Sequence, residues 1–129
     1  MTNQTVTTST PSGRSVSAVL ATPDATPAAA VILIHAFQGL TDEFKAYAPV
    51  YADAGYLALA IDLYDGKVAS GYEDGFEMMN ALNADEAHET CATWVHWLRG
   101  HEACTGKVGS VGWCFGGRWS LNTSIAAPV

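Results

Sequence analysis

Positive charge is scarce in this sequence. Six lysines and arginines stand against thirteen aspartates and glutamates, a formal net charge of −7 over 129 residues. Nucleic-acid backbones and anionic lipid surfaces are held by clustered basic side chains, so neither is expected as a partner. Long apolar runs are absent too: no stretch reaches the roughly eighteen residues that a membrane-crossing helix needs. Met1-Thr2-Asn3-Gln4-Thr5-Val6 has no positive segment ahead of an apolar core, so no secretion signal is expected. The three cysteines, Cys91, Cys104 and Cys114, are odd in number and form no Cys-x-x-Cys pair. That argues against a disulfide framework and for reduced thiols in a cytoplasmic protein. His88 and His96 are eight positions apart rather than the four that would aim both at one metal, so no metal site is expected. Internal repeats and low-complexity tracts are missing as well.

What is present is globular: 49% hydrophobic and 15% charged residues, enough for one domain. Residues 1–14 are rich in Thr, Ser and Asn and predict a flexible N-terminal arm with at most a short strand; residues 15–129 form the domain. Ser15–Ala21 alternates partially and fits an edge strand. Ala30–Ile34 and Tyr56–Ile61 are short, continuous apolar runs of the kind buried on both faces in a parallel sheet. Between them, Thr41 caps a helix that carries Phe44, Tyr47, Ala48 and Tyr51 at helical spacing and closes at Gly55. Pro49 inside it predicts a kink or break. Residues 66–83 read as an excursion with one helical turn near Phe76–Leu82. Ala84–Arg99 is the clearest helix, with Ala84, Ala87, Cys91, Trp94, Val95 and Leu98 on one stripe. A strand at Lys107–Gly112 and a helix over 116–126 complete the chain. The alternation predicts an α/β fold, a mostly parallel sheet with helices on both faces.

In such sheets ligands bind beyond the C-terminal ends of the strands. His35–Gly39, Asp62–Gly66 and Cys114 all fall at such ends. Gly112-Trp113-Cys114-Phe115-Gly116 is the cysteine form of the Gly-x-Ser-x-Gly nucleophile elbow, whose flanking positions must be small because the backbone closes on itself. The positive end of a helix dipole favours a thiolate, and the thiolate is the nucleophile. Attack on a carbonyl creates an oxyanion that needs backbone N–H donors; Phe115, next after the cysteine, and Phe37, in the earlier loop, are the candidates. His35, Gln38 and Tyr64, on the same rim, are the candidate binding residues. His88, His96 and His101 read as surface or loop residues, and Cys91 as core.

Gly112-Trp113-Cys114-Phe115-Gly116-Gly117, together with Asp62-Leu63-Tyr64 and the His35–Leu40 loop, resembles the dienelactone hydrolase family of α/β-hydrolases, in register from about Ser15 to Ala127. The resemblance implies hydrolysis of small esters or lactones by Cys114, with the Phe37 and Phe115 N–H groups as oxyanion hole and no metal or organic cofactor. Two departures accompany it. The family's Glu that partners the resting thiol is matched here by Ala36. The family's Asp and His, which follow the elbow, have no counterpart before Val129. The expectation is therefore a truncated α/β-hydrolase fold, its N-terminal half, whose activity needs another chain. The free edge of strand 107–113 and helix 116–126 then predict a homodimer or domain-swapped oligomer. The alternatives are a catalytically impaired half-fold acting as a binding module, or a fragment without independent function.

Overall fold

The computed structural model describes residues 1–126. Its elements run β1 (Thr2–Ser9), β2 (Ser15–Thr22), β3 (Ala28–Ile34), α1 (Asp42–Asp53), β4 (Leu57–Ile61), α2 (Tyr72–Ala81), α3 (Ala84–Arg99), β5 (Cys104–Gly112) and α4 (Phe115–Ala126). The five strands form one sheet in the order β1-β2-β4-β3-β5. No helix among the described residues is long and apolar enough to cross a membrane.

The sheet is mixed, which corrects the mostly parallel expectation. β1 pairs antiparallel with β2, and β2 antiparallel with β4; only β3 with β4 and β3 with β5 are parallel. Connection length decides this. The short links after β1 and β2 hold no helix and send the chain back on itself. The β3–β4 and β4–β5 links carry helices, and parallel pairing needs such a crossover. The expected arm is a strand as well: Thr2 to Ser9 pair residue for residue with Thr22 to Ser15. Its threonines are β-branched and suit an exposed, pleated edge better than a loose coil.

Helices do cover both faces, and side-chain size differs between the two. On β4, Leu57, Leu59 and Ile61 face the side of α3 and α4, joining Ile32, Ile34, Trp94, Leu98 and Trp119. Ala58 and Ala60 face α1, whose contact residues Ala48 and Ala52 are equally small. Small residues on both partners let α1 approach the sheet closely; the bulky layer opposite supplies most of the apolar burial, about 1.5–3 kcal/mol for each large side chain.

Helix α1 runs unbroken through Pro49, with Thr41 Oγ1 accepting from Phe44 N as its cap. The carbonyl that proline leaves without a partner belongs to Lys45, which is exposed, so water can satisfy it. Helix α3 has the expected bounds, capped by Asn83 Oδ1 on Glu86 N. The excursion holds a ten-residue helix rather than a single turn. Its anchor is aromatic: the Phe37 ring stacks on Tyr72 and Phe76, with centroids 5.8 and 5.0 Å away. A side chain at Gly75 would strike that ring.

Candidate active site

The β5–α4 turn forces a left-handed backbone on a residue that has a side chain. Cys114 has φ +51°. Such a conformation costs on the order of 1–3 kcal/mol and persists only where the surroundings impose it. Here Trp113 N donates to Ile34 O at 3.2 Å, extending the β3–β5 ladder past Gly112. Gly116 N donates to Trp113 O at 2.8 Å and Gly117 N to Cys114 O at 2.9 Å, closing the turn into α4. A Cβ on Gly112 would overlap the Gly116 carbonyl; one on Gly116 would overlap the carbonyls of Ile34 and His35. The Trp113 indole lies flat on Tyr47 of α1, centroids 5.0 Å apart and planes 7° apart, with Phe44 at its edge. The turn is thus locked to β3 from below and to α1 from the side, and its cysteine is left exposed.

Three rim loops meet beneath that cysteine. The His35 ring sits 4.9 Å from the Tyr64 ring and 5.9 Å from the Phe115 ring, and Tyr64 is 5.8 Å from Phe115. His35 is buried. Its Nε2 accepts from Leu63 N at 3.0 Å, which assigns the proton to Nδ1, and Nδ1 donates to Ala36 O at 2.7 Å. Burial pushes the imidazole pKa below its usual value, opposed by the Ala36 carbonyl and Asp62. His35 is therefore a neutral pin between the β3 and β4 loops, with no nitrogen left to bind a substrate or take a proton.

Tyr64 is also buried, its hydroxyl has no partner among the described residues, and burial raises its pKa to about 12. It is a wall under Phe115 rather than an acid. Gln38 lies apart from these two. Its carbonyl accepts from Ala69 N, and it lines a small hollow with Phe37, Ala69, Ser70, Gly71 and Tyr72. The site thus has a floor, made of His35, Tyr64 and Phe115, and a flank at Phe37 and Gln38 that leans on α2.

Among the described residues, no hydrogen bond engages the backbone N–H of Phe37 or Phe115, and none engages the Cys114 thiol. Ala36, at the loop's buried start, supplies no side chain that could. The remaining histidines lie on or just past α3. His88 packs edge-on to Trp119, His96 is exposed, and His101 Nδ1 accepts from Ala103 N. Cys91 is core, its thiol pushed up to about 11 by burial; Cys104 accepts from Gly106 N in a turn. No group of three His, Cys, Asp or Glu able to hold a metal occurs among the described residues.

Two supports of the site have roles that the sequence does not assign. The Asp62 carboxylate accepts from Tyr64 N at 2.8 Å and Gly66 N at 2.7 Å, shaping the β4 loop into a turn. An Asp two residues before the first donor and four before a Gly is a readable signal for that turn. The Trp113–Tyr47 stack joins residues far apart in sequence and has no local signal.

A family profile described as the dienelactone hydrolase family matches residues 16–128. The search of curated proteins finds no match. Among solved structures, a dienelactone hydrolase-like promiscuous phosphotriesterase from metagenomic libraries superposes with TM-score 0.82 at 19% identity, over 99% of this chain and 56% of that one. A zinc-bound cold-adapted esterase from an Arctic intertidal metagenomic library gives 0.71 at 17%, over 97% and 53%. An α/β hydrolase from Penicillium gives 0.77 at 19%, over 96% and 42%. At these identities the likeness shows the fold, and the chain spans about half the length of such relatives.

Proposed function

The chain belongs to the dienelactone hydrolase family, and from that premise we propose that it carries the nucleophile side of a site that cleaves small esters or lactones. Cys114 Sγ attacks the carbonyl carbon. The oxyanion is held by the N–H groups of Phe37 and Phe115. Collapse expels the alcohol, or opens the lactone, and leaves a thioester on Cys114. Its hydrolysis needs a base and an acid beyond the residues named here. The observation that carries this reading is the exposed Cys114 at φ +51° in a glycine-packed strand-to-helix turn. Cleavage of 4-nitrophenyl acetate by the wild type, lost in Cys114→Ser, is the expected result; equal rates in both would overturn it.

The same reading gives the partner a place. Among the described residues β5 pairs on one side, with β3, and of its nine residues only Val108 is buried. Leu121 projects from α4 into solvent. We propose that a second copy covers this edge, as a homodimer or by exchange of elements. Light scattering coupled to size exclusion is expected to give twice the chain mass, and a stable monomer would overturn the proposal.

A further inference from the structure

On the side of the sheet away from β5, the β1–β2 link, the loop after β4 and the junction of α2 with α3 enclose a hollow of about 220 Å³. Two of its lining residues carry buried polar atoms with no partner among the described residues, Arg14 Nε and the Tyr64 hydroxyl. Tyr64 is only 6% exposed, so solvent does not reach that hydroxyl freely. Arg14 Nε can only donate, and a phenolic hydroxyl donates readily. Buried donors left unpaired are costly, so the two together call for an acceptor in the hollow. The guanidinium is fixed where it stands: its Nη2 donates to Glu86 O at 2.7 Å, Glu89 Oε1 at 3.0 Å and Thr90 Oγ1 at 3.1 Å. Lys67 brings a second positive charge to the lining. Asp65 and Glu86 bring negative charge, beside Asp62, whose carboxylate already accepts from two backbone N–H groups. Leu63, Met78 and Leu82 make the remaining wall apolar.

We infer that this hollow binds a free α-amino acid with an apolar side chain. The ligand carboxylate offers an oxygen to each orphan donor, and Lys67 adds attraction. Hydrogen bonds to charged partners are about twice as strong as neutral ones, which favours a carboxylate over a hydroxyl as the acceptor. The ammonium faces Asp65 and Glu86, and the side chain lies on Leu63, Met78 and Leu82. A simple anion would meet the carboxylates of Asp62, Asp65 and Glu86 across the hollow. A simple cation would meet Arg14 and Lys67 and leave both donors unpaired. Size agrees: the hollow is smaller than the roughly 300–1,000 Å³ of pockets for drug-sized ligands, and suits one residue rather than a peptide. The inference does not depend on the reaction at Cys114. The Tyr64 ring packs on His35 and Phe115, while its hydroxyl is the part assigned to the amino acid.

The test titrates L-leucine into the full chain by calorimetry. Beside it run leucinamide, which lacks the carboxylate, 4-methylpentanoate, which lacks the ammonium, and glucose, a neutral polyol. Leucine is expected to bind saturably, and leucinamide and 4-methylpentanoate about tenfold more weakly or worse. Tyr64→Phe keeps the ring and removes only the orphan hydroxyl. It is expected to keep at least the wild-type thermal midpoint without ligand and to weaken leucine about tenfold. Asp65→Asn, whose new side chain tolerates the left-handed backbone at φ +54°, is expected to weaken leucine but not 4-methylpentanoate. No saturable binding of leucine, glucose bound in its place, or leucine bound equally well by Tyr64→Phe would overturn the inference. So would a Tyr64→Phe chain with a lowered thermal midpoint, because the hydroxyl would then have a partner of its own.

Discussion

Strands β4 and β5 belong to one sheet, and both end at the rim where the candidate site lies, yet they are built in opposite ways. β4 is bonded on both sides, and all five of its residues are fully buried. β5, which leads to Cys114, pairs among the described residues with β3 alone and buries a single residue. The placement of Cys114 therefore cannot come from the strand that leads to it. It comes from the turn itself: the glycine contacts, the Trp113 N–H on β3, and the indole clamped on α1. Rigidity has been concentrated in five residues, which leaves the outer edge of β5 open without loosening the cysteine.

The largest effect that would break this contrast lies in β4. Leu59→Ala removes a fully buried side chain from the layer packed by Trp94 and Leu98. A loss of about 2–5 kcal/mol is expected, read from the urea midpoint. A loss no greater than that of a β5 substitution would mean that β4 is not the spine of the sheet.

Within β5 and its turn, two glycines sharpen the same point. Gly116→Ala puts a methyl into the Ile34 and His35 carbonyls and is expected to cost about 1–3 kcal/mol and the acylation of Cys114. Gly109→Ala, in the strand itself, meets nothing within 4 Å. It should change stability by no more than about 0.5 kcal/mol and leave acylation intact. Equal losses in both variants would show that the strand, not the turn, positions the cysteine.

The parts of this design legible in the sequence are those with a local signature. Gly112-x-Cys114-x-Gly116 marks the turn because its chemistry is steric and contained in five residues. Ala84–Arg99 marks α3 because its apolar stripe repeats within one helix. Strand direction carries no such mark. β2 reads as a strand, but its antiparallel pairing with β4 follows from the length of the links, so the mixed sheet was not visible. The sequence of α2 predicts only a single turn because its anchor is Phe37, some forty residues back, and not its own periodicity. His35 looked like a binding residue from its place on the rim. Its real partners, Leu63 N and Ala36 O, are backbone groups that only folding brings to its two nitrogens.

That pin has a pH signature of its own, smaller than the effects above. Burial lowers the folded-state pKa of His35, so below the ordinary value of 6.5 the unfolded chain binds a proton that the folded chain resists. Stability is then fully present above 6.5 and falls as pH drops toward the folded pKa, by up to about 1.4 kcal/mol per pH unit. Glu89, held down to about 2 by Ser12 and Arg14, loses its contribution only below 4.5, so the two windows are separate. Between pH 6.5 and 5, His35→Phe should unfold with a flatter pH dependence than the wild type. An unchanged slope would mean that the ring is not a buried neutral pin.

The smallest expected effect tests whether the open edge stays open. Val111 of β5 is half-buried against the α1 layer and lines a hollow of about 650 Å³ with Val31, Tyr51, Tyr56 and Val108. Val111→Thr keeps the shape and adds a hydroxyl. While the hollow is wet, water satisfies that hydroxyl, and the change is expected to stay within about 0.5 kcal/mol. Where a second copy closes over β5, the hydroxyl is buried without a partner, at about 1–3 kcal/mol. The difference between wild type and variant in thermal midpoint should therefore grow as protein concentration is raised. A difference that is small and constant across concentrations would leave β5 a permanent edge, with the turn holding Cys114 unaided.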